Sequence, residues 1–194
     1  MKKLLFTFLL SSSLFAQEKT TDLFNVNVSV IGVGVQFEKS MGDKYTGVAS
    51  LDYIGGFSYG YSDFTGSDFE YILTTRFALE GRYYYNFDRR IEKGKNTTNN
   101  SANYVAFKTT FIPDWFTSSS DDMKINPQGT LTLNYGLKRS FSKNFFYEFY
   151  TGLGISLYEE DRLYFDDHAM DYRIKSSNKS GVALDLGFRV GYNF

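Results

Sequence analysis

The chain contains no cysteine, so no disulfide can staple it and the fold must close by hydrogen bonding and burial. Proline is almost absent: Pro113 and Pro127 are the only two, which leaves long stretches free of the residue that interrupts strand ladders. A formal net charge of -1 gives no electrostatic footprint for nucleic acid. No stretch beyond the N-terminal segment approaches the roughly 20 apolar residues that a membrane-spanning helix needs. What is abundant is aromatic: 20 Phe and 16 Tyr beside 17 Gly, a mixture that favours pleated surfaces.

The first residues have the layout of a secretory leader. Lys2 and Lys3 precede an apolar stretch from Leu4 to Leu10, interrupted only by Thr7, and the small-residue exit Ser11-Ser12-Ser13-Leu14-Phe15-Ala16 follows. Cleavage after Ala16 leaves Gln17 as the new terminus, giving a signal peptide over 1–16 and one domain over 17–194. The apolar stretch is too short for a membrane anchor.

Alternation with a period of two dominates the rest of the chain. Tyr71, Leu73, Thr75, Phe77, Leu79, Gly81, Tyr83, Tyr85 and Phe87 share one face, against Thr74, Arg76, Glu80, Arg82 and Asn86 on the other. Comparable runs occupy 45–59, 105–111, 131–137, 145–157 and 182–194. Several exceed the usual five or six residues of a soluble strand and match the 9–11 that a tilted strand needs to cross a bilayer. A first, less regular run has Val26, Val28 and Val30 on one face and then flips phase to Ile31, Val33, Val35 and Phe37, which reads as a β-bulge or as the place where an N-terminal piece bends. That gives seven clear strands. An eighth, placed in 20–30 or 162–175, makes the count even, as bacterial single-chain barrels require.

The polar faces carry full charges in mid-strand: Asp52, Arg76, Glu80, Arg82, Lys108, Lys138, Glu148, Asp185 and Arg189. The opposite faces carry rows such as Phe145, Tyr147 and Phe149, too bulky for a small lumen. The expected architecture is therefore an all-β, antiparallel, transmembrane up-and-down β-barrel of about eight strands, apolar outside and charged inside. An eight-stranded interior is just filled by its own side chains, so the inward charges should pair as a plug. Aromatic girdles fall at the short-turn ends (Tyr83, Tyr85, Phe87, Phe145, Tyr147, Tyr192, Phe194) and at the long-loop ends (Tyr59, Tyr61, Tyr71, Trp115, Phe116, Tyr158). Short turns are expected at 40–44 and 140–144, and long loops at 60–70, 113–127 and 159–180. The long, basic and then Asn-rich segment 88–103 falls on the short-turn side and reads as a protruding periplasmic loop.

The C-terminus, with Phe188, Val190, Tyr192 and a final Phe194 in alternation, resembles the terminal-strand signal of outer-membrane proteins. The resemblance implies recognition by the barrel assembly machinery and residence in the outer membrane of a Gram-negative cell, in contact with its lipid. Phe15-Ala16-Gln17 and Tyr83-Tyr84-Tyr85-Asn86-Phe87 are similar to segments of Bacteroidetes outer-membrane barrels, and that likeness brings no activity with it.

The function expected is structural, or the presentation of surface loops to a partner whose chemistry is not written in the chain. Alternatives are a narrow channel for ions or small hydrophilic solutes, and a secreted lipocalin-like barrel holding an apolar ligand. Catalysis has one candidate, His168 on the last long loop. It lacks the serine two residues on that the lipid A deacylase pattern wants, so no enzyme is expected. Asp166, Asp167 and Asp171, with Glu159, Glu160 and Asp161, match no calcium-loop spacing, so neither metal nor cofactor is expected. The Asn-x-Ser/Thr triplets at Asn96, Asn99 and Asn178 matter only in a eukaryotic secretory pathway.

Overall fold

The computed structural model describes residues 20–62, 66–120, 125–166 and 171–194. Alternating apolar and polar residues make most of them strand: β1 Leu23–Ser29, β2 Gly32–Ser40, β3 Tyr45–Ser62, β4 Gly66–Tyr83, β5 Asn103–Ile112, β6 Ser118–Ser119, β7 Gln128–Ser140, β8 Phe145–Asp166 and β9 Asp171–Asn193. The fold is all-β. Eight long strands form one antiparallel sheet, in which β3 pairs β4 and β1 pairs β9, so the sheet returns on itself as a ring. The two-residue β6 adds only a short pairing to β4.

The ring is strongly staggered. From Val26 the register passes through Val35, Leu51, Phe77, Phe111, Gly129 and Leu157 to Ser180 on β9, whereas Val26 itself pairs Tyr192. Such a stagger tilts the strands and sets the internal width.

The phase flip at Val30 and Ile31 is a turn, not a bulge. Val28 pairs Val33 and Ser29 pairs Gly32, so the segment expected as one bulged strand is the β1–β2 hairpin, and this supplies the eighth strand. Neither turn residue takes a positive φ, and a β-branched pair replaces the usual Asn-Gly signal. The turn at 41–44 is more ordinary, with Gly42 at φ 145°, a conformation open only to glycine.

Two expected long loops are also strand. β3 and β4 stay paired out to Ser62 and Gly66, and β8 and β9 out to Asp166 and Asp171, as two tall hairpins at one end of the ring. The stretch 162–175, offered as a place for a hidden strand, is the top of the second hairpin. Alternation simply continues through residues whose polarity had suggested loops.

At the opposite end, segment 84–102 does not protrude. It folds into a short helix α1, Phe87–Glu92, and a 3-10 turn, Thr98–Asn100, and packs across the ring's end. Tyr84, Phe87, Ala102, Tyr104 and Ala106 form a buried apolar cluster there, which removes Phe87 from the expected outer girdle. Asn100 exchanges two hydrogen bonds with the Thr21 backbone, one as acceptor at 2.8 Å and one as donor at 2.9 Å. Asn96 Nδ2 donates to the Ser140 carbonyl and Asn99 Nδ2 to that of Lys143. The Asn-rich stretch is thus a set of clamps on strand ends and turns. Residues 1–16, Gln17 and His168 lie outside the described residues, as do the side chains of Tyr59, Tyr61, Asp166 and Asp171.

Candidate functional site: the charged interior

Strand alternation sends one row of each strand into the ring. Leu79, Leu133, Leu153 and Leu184 face outward and are 60–72 % exposed, while Arg82 and Glu148 face inward at 1 % and 0 %. Phe149 and Tyr147 also face out, and Lys108, Lys138, Glu80, Asp52 and Arg189 are buried. Arg76 and Asp185 face inward with slightly more exposure.

Eight of the nine charges singled out in the sequence pair with one another inside, and the ninth, Lys138, lies among them. Arg82 is the hub: its Nη1 lies 2.8 Å from Glu148 Oε1, and its Nε donates to Glu80 Oε2 at 2.8 Å. Arg189 Nε donates to the other Glu148 oxygen at 2.5 Å, and its Nη2 lies 3.7 Å from Glu80. Lys108 Nζ donates to Asp185 Oδ2 at 3.0 Å, where Asn134 Nδ2 donates as well at 2.7 Å. Arg76 holds Asp52 through two guanidinium nitrogens.

One member escaped the sequence reading. Glu38 on β2 accepts from Lys138 Nζ at 2.8 Å, from Tyr84 OH at 2.7 Å and from Thr46 Oγ1 at 2.9 Å. Without it, five cations faced four carboxylates and Lys138 had no partner; with it the described inward charges balance. The signal was present. Extending the alternation of Ile31, Val33, Val35 and Phe37 by one residue turns Glu38 inward. Balance matters because an uncompensated buried charge costs several kcal/mol.

Aromatic rings fill the space between the pairs. Tyr104 OH donates to Glu148 Oε1 at 2.7 Å while its ring stacks under the Arg82 guanidinium, 4.5 Å away. The Tyr150 ring lies 4.4 Å from Lys108 Nζ and 5.2 Å from the Arg189 guanidinium. Each ring sits across from a glycine in its register partner: Tyr104 with Gly136, Tyr150 with Gly187, Phe146 with Gly191. The arrangement is a packed electrostatic core, with charge-assisted hydrogen bonds satisfied from several strands at once. It crosslinks β2, β4, β7, β8 and β9.

The terminal residues singled out for assembly occupy the outer face. Phe188, Val190 and Phe194 are exposed, Tyr192 packs edge-on against Phe145 and Phe194, and Phe194 meets Phe24 across the β9–β1 seam. At the same end Asp22 accepts from Lys39 Nζ and from the Ser40 N–H, which together hold its carboxyl below the usual carboxylate range. Lys44 pairs with Asp88 at 2.5 Å, and that hydrogen bond raises its ammonium pKa. Comparison of the chain with protein families, with curated proteins and with solved structures returns no match.

Proposed function

We propose that the chain is an integral outer-membrane β-barrel whose role is structural or the presentation of its tall hairpins to a partner, with an interior plugged by ion pairs. The observation that carries this reading is the inversion of polarity. Leu and Phe side chains cover the outside of the ring, and ten ionised side chains fill its inside. A ring in water would have its apolar rows inside; a ring in lipid has this arrangement, because acyl chains solvate the rows and closure leaves no strand edge unpaired. Among the described residues no helix is long and apolar enough to cross a membrane, so strands are the candidates for crossing.

A filled interior, with segment 84–102 across one end, favours a plug over a solute path. Its polar lining likewise speaks against an apolar ligand held inside. The exposed row Phe188, Val190, Tyr192 and Phe194 suits recognition by an assembly machinery.

Membrane fractionation followed by gel mobility with and without boiling tests the reading. The expected result is retention in the outer-membrane fraction and a folded band that shifts on heating. Release into the periplasmic fraction without detergent overturns it. A conductance of ordered single-channel steps in planar bilayers overturns the plug and favours the channel.

A further inference from the structure

All five cations inside the ring have carboxylates, and so do Lys39 and Lys44 at its end. One cluster differs. Beside the closed end, on the outer flank, a pocket of about 300 Å³ is lined by Arg89, Arg90, Lys93 and Lys95 from α1 and the residues after it, and by Arg139 from the end of β7. Its lining contains no carboxylate, and none of the five cations has one within 4 Å among the described residues. Neutral acceptors hold the two half-buried arginines in place. Arg90 donates through Nε and Nη2 to the Asn96 carbonyl, and Arg139 donates to the Lys138 carbonyl at 2.7 Å and to Asn103 Oδ1. Burial and the like charge of Arg139 lower the Arg90 pKa. The guanidinium groups are thus positioned but not neutralised.

The location says what would neutralise them. Arg139 lies on the outward row of β7, opposite Tyr147 in the register and four residues along the strand from Tyr135. Tyr85 OH and Tyr135 OH lie 3.0 Å apart at the same rim, and both accept from Asn103 Nδ2. Amphipathic rings of this kind sit at the headgroup level of a bilayer, where anionic phosphates meet basic residues. Arginine forks match phosphate oxygens in pairs.

We propose that this pocket binds the phosphate headgroup of a membrane phospholipid, gripped by Arg90 and Arg139 and drawn in by Arg89, Lys93 and Lys95. The lipid source rests on the membrane reading above; the phosphate chemistry does not.

The test uses the full chain folded in zwitterionic micelles. Binding is read by native mass spectrometry and by the temperature at which the folded gel band is lost. Three probes are compared: phosphatidylglycerol, phosphatidylcholine and inorganic phosphate. Phosphatidylglycerol should bind best and raise that temperature. Arg90→Gln with Arg139→Gln should weaken binding by about tenfold per arginine, the scale of a charge-assisted hydrogen bond. Lys93→Gln with Lys95→Gln alters only exposed side chains, so it leaves folding intact, and it should weaken binding to a smaller extent. Equal binding by wild type and both variants overturns the pocket. Protection by inorganic phosphate with none added by lipid overturns the lipid source. A chain that needs no detergent at all sinks the membrane reading separately, and the phosphate arm still reports on the pocket.

Discussion

The ring of Tyr150 on β8 lies across the backbone of Gly187, its register partner on β9, so closely that a Cβ at position 187 would stand 2.2 Å from the ring's Cζ. The glycine is what lets a tyrosine lie flat inside a narrow ring, within reach of both Lys108 and Arg189. Gly187→Ala should therefore push the ring off both cations and cost about 1–3 kcal/mol, the range for overpacking a filled core. Urea unfolding of the folded chain in micelles measures it. A cost near zero would mean that the ring is free to move.

Glu38 and Lys138 offer a cleaner test of the interior. Glu38→Gln removes the carboxylate facing Lys138 and should destabilise by about 3–5 kcal/mol, because it leaves a buried charge uncompensated. Lys138→Met in the same chain should recover much of that loss, since an apolar isostere of a buried pair is often neutral. The double-mutant cycle gives their coupling, and independent, additive losses would show that the two residues do not act as a pair.

The sequence made most of the sheet legible because the side-chain period of a strand is two and the chain holds that period for long stretches. Phe145 to Leu157 and Val182 to Phe194 face as their alternation says. The failures share a cause: each lies where a local cue outvoted the period. Val30-Ile31 carries no turn chemistry, so a hairpin passed for a bulge and Glu38 fell off the end of a strand. Glu159 to Ser180 is polar, so a paired hairpin passed for a loop. Phe87 continues the outward row of Tyr83 and Tyr85, yet the backbone leaves the strand after Tyr83 and turns its ring into the core beneath the ring. Nothing in the sequence announces that Asn96, Asn99 and Asn100 clamp carbonyls and turns far away in the chain, because those contacts exist only once the ring has closed.

Asp22 supplies a prediction in pH. Its native carboxyl is held below the usual carboxylate range by Lys39 and the Ser40 N–H. A depressed native value means that the contact stabilises the fold above the unfolded-state value and is lost as pH falls through the native one. Wild type and Asp22→Asn should therefore differ in thermal midpoint at neutral pH and converge in acid. The carboxyl is exposed, so the gap should be small. A carbon-13 titration of the Asp22 carboxyl checks the sign directly, and a midpoint at or above the ordinary value would contradict the contact.

Depth along the outer face gives the sharpest separation of lipid from water. Leu153 lies midway along β8, flanked in register by Leu133 and Leu184, all on the outer face. Tyr147 lies on the same outward row near the short-turn end, beside Val190. In a bilayer, Leu153→Arg should cost about 2–4 kcal/mol and Tyr147→Arg about 0–1, because the penalty for a cation falls from the midplane toward the interface. Surrounded by water, the outer leucine has no such depth, and a surface substitution of this kind stays within about 0.5 kcal/mol. Urea unfolding of both variants in phospholipid vesicles gives the two costs on one scale. A clear excess at position 153 follows from acyl chains meeting the leucine row; equal and negligible costs at both positions would place that row in water.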